Sequence, residues 1–406
     1  MSNSSSLSPP SLAYCVAENL FFSGSEWYRC HRPAHVIGNH LNWLTFVASR
    51  FAPPTEPGPW LIEIEGKTLC PQVIITRPIF KMEGDDSDGF EAAARMAQSI
   101  AYAQEAGQIV LIDLDDHPYG WNEEYAGRES VEPITDWKWH DDWLNQANAV
   151  LCSTRYLRDY LAGHFPEQAF HYLPNCYDPD RYADHTPTFR PRLGAHLFLK
   201  SRMRADFEQM APVAELFGKL TDLRFSHMGE DFPCTCGHPL RDHYGADLST
   251  SLPGLEFCDQ CKCETFTLKE QPHLLSDFTG IPADRIDSSQ PCSILDLPKH
   301  MDWSVGVIPL ADNEWNHAKT EGKGFEMAAA GIPFVPLTGE HPLYSQAPIS
   351  PLDREAIRGL LTREWTWERE SRRARVWAVK LAQRHQDTYV RGMLSLANSD
   401  LRKVRA

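Results

Sequence analysis

Short apolar runs alternate with amphipathic stretches along the chain, and the alternation occurs twice. In the first half, Trp60 to Glu65 (WLIEIE), Val73 to Thr76, Gln108 to Asp113 and Ala149 to Cys152 have the length and bounding residues of buried strands. Helical spacing is expected from about Pro33 to Trp43, from Phe90 to Ala106 and from Arg155 to His164, with a further strand at Ala169 to Leu173. The second half repeats the scheme. His196 to Lys200 predicts a strand, Arg204 to Leu220 a helix and Leu223 to Met228 a strand; Arg285 to Ser288 leads into the next element. Trp303 to Leu310 (WSVGVIPL) is another buried strand, and helices are expected at Asp353 to Leu361 and Trp365 to Asn398. Strands alternating with helices of this length require a parallel sheet covered on both faces. The expected fold class is therefore α/β: two Rossmann-like doubly wound domains facing a cleft, with ligands at the carboxyl ends of the strands.

The Pro-rich stretch Thr186 to Leu193 (TPTFRPRL) is the expected linker between the halves. The division is then 1–12 as a disordered lead-in, 13–188 as the N-terminal domain, 189–370 as the C-terminal domain and 371–406 as a C-terminal helix. A Cys/His-rich segment, 231–268, follows a predicted strand of the second domain directly and is an insertion in it.

Composition narrows the functional classes. A hydrophobic content of 42% is enough for full cores. No run approaches the roughly 18 apolar residues of a membrane span. The polar opening MSNSSSLSPPS has no basic n-region, so a cytoplasmic location is expected. A formal net charge of −16 disfavours broad binding to nucleic acid. Positive charge gathers late, from Arg363 to Arg405, and reads as the solvated basic face of the terminal helix.

Eleven cysteines are an odd number for a disulfide framework, and five of them fall between Cys234 and Cys263. That distribution fits a reducing compartment and a metal site. Cys258 and Cys261 form a CxxC knuckle, and a Cys/His group lies about twenty residues upstream. The expected ligands of a structural zinc are Cys236, His243, Cys258 and Cys261, with Cys234, His238 and Cys263 as alternates or as ligands of a second ion.

Residues 315–335, WNHAKTEGKGFEMAAAGIPFV, read as loop, helix, Gly-Ile-Pro break and strand, which completes a βαβ crossover after Trp303 to Leu310. Lys319, Lys323 and Glu326 stand at i, i+4 and i+7 and so share one face of that predicted helix. The lysines would meet the phosphates of a nucleotide diphosphate and Glu326 would accept its ribose hydroxyls. The plain alternative is a solvated face with one ion pair.

Asp113, Asp115, Asp116 and His117 crowd the end of a buried strand, a place for a general base or a partner to a developing cation. A DxD-type metal site is a rival use of the same residues. Ser23 to Arg29 is a glycine-containing loop entering a helix, which can receive an anion at the helix N-terminus, although an ordinary turn is the better default. Asn175, in the turn after Pro174, is expected to make local backbone bonds. Trp137, Trp139 and Trp143 would either stack on a sugar or base or pack a helix edge.

Taken in order, these pieces resemble the GT-B glycosyltransferases, in particular the broad glycogen-synthase-like group of nucleotide-sugar enzymes. The resemblance runs from about Glu18 to the C-terminal helix and breaks at the cysteine-rich segment. The family's early loop with a Tyr-Arg pair matches Ser25 to Arg29 (Ser25, Tyr28, Arg29), and its acidic strand end matches Asp113 to His117. Its strand, Ser/Thr and helix match Ala149 to Leu157, and its Leu-Pro-Asn-x-x-Asp turn matches Leu173, Pro174, Asn175 and Asp178. The second-domain run of the family matches Pro309, Leu310, Asn316, Lys319, Lys323, Glu326, Ala329, Gly331 and Pro333.

The resemblance implies a hexosyltransferase-type enzyme that moves a sugar from a nucleotide diphosphate sugar to an acceptor hydroxyl on a glycan, a protein or a modified nucleobase. It implies transfer without a metal ion or a redox cofactor, with an N-terminal acceptor domain and a C-terminal donor domain. Glu326 would hold the ribose and Lys319 or Lys323 the diphosphate, with Asn316 in the donor set and help from Arg202 or Arg204. Asp115, Asp116 or His117 would supply the catalytic contribution. One departure stands out: many members carry a second Glu eight residues before the ribose-binding one, and here that position is Ala318. Its absence sustains a second expectation, a non-catalytic GT-B-like scaffold whose zinc module binds a protein or nucleic-acid partner.

Overall fold

The apolar quartets become the centres of two parallel sheets. A computed structural model describes residues 10–15, 27–48, 50–77, 88–115, 117, 139–196, 224–228, 282–288, 301–310, 314–336 and 354–399. The first sheet is built from β1 (Ser11–Cys15), β2 (Leu44–Ala48), β6 (Val73–Thr76), β7 (Ile109–Leu114), β8 (Ala149–Cys152) and β9 (Phe170–Tyr172). Its order is β2-β1-β6-β7-β8-β9, parallel throughout, with Ile75 opposite Leu111 and Leu111 opposite Ala149. The strand β8 is buried at all four positions, as a central parallel strand must be.

Three further strands, β3 (Arg50–Ala52), β4 (Leu61–Ile64) and β5 (Lys67–Leu69), make a separate antiparallel sheet. The run WLIEIE is therefore a strand, as expected, but it lies outside the parallel sheet. Glu65 and Gly66, with φ of 50° and 72°, form the two-residue turn that folds β4 back on β5.

The second sheet has the order β12-β11-β10-β13-β14, from β10 (Arg192–His196), β11 (Arg224–Met228), β12 (Ile286–Ser288), β13 (Val305–Ile308) and β14 (Phe334–Pro336). Its first strand starts four residues earlier than predicted, inside the expected linker. Leu193 is buried there opposite Val305, so the apolar neighbour outweighs the Pro-rich flank. The strand β1 likewise begins at Ser11, two residues within the expected lead-in, and its Leu12 is wholly buried.

The helices are α1 (Arg32–Leu41), α2 (Asp88–Glu105), α3 (Trp139–Gln146), α4 (Arg155–His164), α5 (Glu314–His317), α6 (Gly322–Ala329), α7 (Arg354–Thr362) and α8 (Glu364–Asn398). The hydroxyl of Thr154 caps α4 by accepting from the Leu157 amide at 3.1 Å. The long helix α8 serves both halves: Ala374, Ala378 and Leu381 pack with Phe325 and Phe334, while Tyr389, Met393 and Leu396 pack with Tyr14, Leu111 and Leu151. The Tyr14 and Tyr389 hydroxyls meet at 3.1 Å. Where α8 passes the first domain, a Cβ on Gly392 would come within 2.2 Å of Leu173 Cδ2, so glycine permits the crossing. No helix among the described residues is long and apolar enough to cross a membrane.

The predicted helix Arg204 to Leu220, the whole segment 231–268 with its seven metal-ligand candidates, and Ser25, Asp116, Arg202 and Arg204 lie outside the described residues. Among the described residues no group of His, Cys, Asp and Glu is placed to hold a metal ion.

Candidate functional site

The carboxyl end of β13 runs through Pro309 and Leu310 to the short helix α5, then a loop, then α6. The expected single helix is thus two. Lys319 lies in the loop between them, with its amide bonded back to the Asn316 carbonyl at 3.1 Å, and does not share a helix face with Lys323 and Glu326. The helix is broken from Ala318 to Glu321, and α6 is only eight residues long. Lys323 and Glu326 remain one turn apart on α6.

The loop is docked on the first domain. Thr154 Oγ1 donates to the Ala318 carbonyl at 3.0 Å, and Asn175 Nδ2 donates to Thr320 Oγ1 at 3.0 Å. Ala318 is fully buried among first-domain core residues. A glutamate there would bring a carboxylate into that apolar environment, so alanine is the residue this packing admits. Asn316 is also fully buried.

Glu326 is 6% exposed, and its Oε1 accepts from the Tyr28 hydroxyl at 3.2 Å, across 298 residues of sequence. Burial pushes its carboxyl up to about 7, against the opposing pull of Arg181, the Tyr28 hydrogen bond and Lys323. Around it, Tyr177 stacks on Phe325 at 4.3 Å, and Tyr28 meets both rings edge-on at 5.0 and 6.0 Å. The π-helical turn Trp27–His31 supplies Tyr28, so the two domains join through aromatic packing beside a carboxylate.

Arg29, the other half of the Tyr-Arg pair, is turned inward. It is 1% exposed and forks onto Asp113, with Nε to Oδ2 at 3.0 Å and a second bond from NH2 to Oδ1. Its NH1 also reaches the Leu173 carbonyl and, at 3.4 Å, Asn175 Oδ1. Burial works against this guanidinium, yet the Asp113 carboxylate holds its pKa above the ordinary value. The strand-end cluster therefore loses one of its charges to a structural pair.

Asp115 and His117 complete that strand end. Asp115 is 7% exposed, and its carbonyl accepts from the Ser153 hydroxyl at 2.8 Å. His117 is fully buried, edge-on to Tyr160 at 4.2 Å. Burial, with a smaller contribution from His164, pushes His117 down to about 4, so near neutral pH it is an uncharged imidazole able to exchange hydrogen bonds. Tyr156, one turn ahead of Tyr160 on α4, lies 5.5 Å from His317 of α5, which carries the same face over to the second domain.

Two participants, Glu321 and His385, had no signal in the sequence. Asn175 bridges domains instead of bonding locally. The α8 residue His385 approaches the Asn175 carbonyl with Nδ1 at 3.2 Å and Glu321 Oε1 with Nε2 at 3.4 Å. Trp143, a candidate for stacking on a sugar or base, is buried in the first-domain core; Trp137 lies outside the described residues.

No protein-family model and no curated protein matches the chain. Solved structures do resemble it. A sucrose-phosphate synthase from Thermosynechococcus elongatus aligns over 96% of this chain and 100% of its own, with a TM-score of 0.54 at 12% identity. HepE from Anabaena, solved in complex with UDP and glucose, aligns over 96% and 99% with a TM-score of 0.52 at 10% identity. A glycosyltransferase from Rickettsia africae aligns over 97% and 100% with a TM-score of 0.51 at 9% identity. At such identities the likeness is one of fold: two Rossmann-like domains in the GT-B arrangement.

Proposed function

We propose that this chain is a glycosyltransferase that moves a sugar from a nucleotide diphosphate sugar to an acceptor hydroxyl within its interdomain cleft. The observation that carries the reading is the hydrogen bond from the Tyr28 hydroxyl of the first domain to Glu326, on the crossover helix after β13 that also carries Lys323. UDP and glucose in the HepE complex support a donor of that chemical class.

In this reading Glu326 accepts the ribose hydroxyls, and Lys319 or Lys323 with the amino end of α6 stabilises the diphosphate as it leaves. Arg202 or Arg204 adds to the phosphate contacts, and Asn316 belongs to the same donor set. Asp115, Asp116 or His117 acts on the acceptor side. The transferred group is a hexosyl unit, and transfer proceeds without a metal ion. Segment 231–268 holds a structural zinc through Cys236, His243, Cys258 and Cys261, and the protein works in the cytoplasm.

The test is release of the nucleoside diphosphate from a panel of UDP-, GDP-, ADP- and dTDP-sugars. At least one donor should be turned over, and Lys323→Ala should remove that turnover while leaving the thermal midpoint nearly unchanged. Absence of turnover and of donor binding across the whole panel would refute the reading.

A further inference from the structure

The amino end of α6 carries an unusual neighbour. Glu321 is its N-cap residue, and its side chain makes no capping bond to the helix. A carboxylate favours a helix N-terminus, but here the same terminus is assigned to a diphosphate, and two anions would compete for it. The Glu321 side chain is instead engaged by α8. His385 Nε2 lies 3.4 Å from Glu321 Oε1, and its Nδ1 lies 3.2 Å from the Asn175 carbonyl. The carbonyl can only accept, so Nδ1 carries the hydrogen of that bond and Nε2 is turned to the carboxylate. The ring is also stacked on Tyr177 at 5.3 Å, which fixes its plane. Burial works to raise the Glu321 carboxyl, yet the charge and hydrogen bond of His385, with Arg384 beside it, hold it below the usual range.

We propose that His385 is a positioning residue of the donor site, which holds the Glu321 side chain against α8 and so leaves the amino end of α6 to the diphosphate. This rests on the donor-site reading above. It also ties that site to the first domain, because the same imidazole holds the turn at Asn175, whose side chain bonds Thr320.

The experiment is calorimetric titration of the full-length protein with UDP, GDP, ADP and dTDP, for the wild type, His385→Gln, Glu321→Gln and the double variant. His385→Gln should weaken the best nucleoside diphosphate on the order of tenfold, the effect of exposing one close like charge. Glu321→Gln should bind at least as tightly as the wild type, and adding it to His385→Gln should restore the lost affinity. A purely architectural histidine would give a double variant as weak as His385→Gln, and that result, or an unchanged affinity in His385→Gln, overturns the proposal. If His385→Gln does not fold, Glu321→Gln alone decides: a tenfold loss would show Glu321 aiding the ligand and overturn the proposal. Failure of the wild type to bind any of the four would overturn the donor-site reading itself, a result distinct from the others.

Discussion

Replacing Glu326 by glutamine removes an ionisation and keeps the shape. The wild-type carboxyl is raised from 4.5 to about 7 because burial penalises its charge more than Arg181, Tyr28 and Lys323 favour it. Between those pH values the folded protein holds a proton that the unfolded chain has released, so stability is complete below about pH 4.5 and declines as pH rises through 7. A shift of this size corresponds to on the order of 3 kcal/mol. The assay is chemical denaturation of wild type and Glu326→Gln from pH 4.5 to 8.5. All other groups titrate in both proteins, so the stability difference isolates this one. Glutamine should gain on the wild type by about 3 kcal/mol between the two ends of the range. A difference that stays flat to within about 1 kcal/mol would mean that Glu326 is solvated and that its place in the interdomain packing is misjudged. The same titration bears on function. A carboxylate accepts both ribose hydroxyls and a protonated carboxyl does not, so affinity for a nucleotide sugar, whose diphosphate has no group titrating near 7, should rise with pH through 7 in the wild type and be level in the variant.

Arg29→Met should destabilise the protein by about 3–5 kcal/mol in denaturant melts, because it strands the buried Asp113 charge, and a combined Arg29→Met, Asp113→Leu variant should recover much of the loss. A loss below about 1 kcal/mol would refute the structural role of the pair. Native mass spectrometry of protein purified without added metal should find at least one zinc per chain. Cys258→Ser with Cys261→Ser should remove it, and a wild-type mass without metal would reject the zinc assignment.

The sequence was most legible where local chemistry and tertiary environment agree. Ala149 to Cys152 and Arg155 to His164 emerge with their predicted bounds because four apolar residues, a Thr cap and a helical repeat all lie within sixteen positions. Lys319 leaves the predicted helix face because the helical backbone is broken from Ala318 to Glu321 while the sequence periodicity continues across it. Leu193 was hidden by its prolines, and its burial depends on Val305, more than a hundred residues away. Arg29 carried the right motif for a ligand loop, but its charge is consumed by Asp113. No pattern in a window of residues announces that pairing.

These long-range partners also explain how the candidate site is held. Asp113 fixes Arg29, Arg29 fixes the Leu173–Asn175 turn, and that turn grips both Thr320 and His385. The first-domain sheet thereby sets where the loop ahead of α6 lies, although the residues proposed to hold the donor belong to the second domain. Thr154 adds a second anchor through Ala318, the position at which the resembled family often carries a carboxylate. A small residue at 318 lets the loop seat against the first domain, and beyond that loop Glu326 accepts from the Tyr28 hydroxyl. Donor binding in this chain should therefore depend on first-domain residues that touch no part of the nucleotide, which distinguishes it from a site built on the second domain alone.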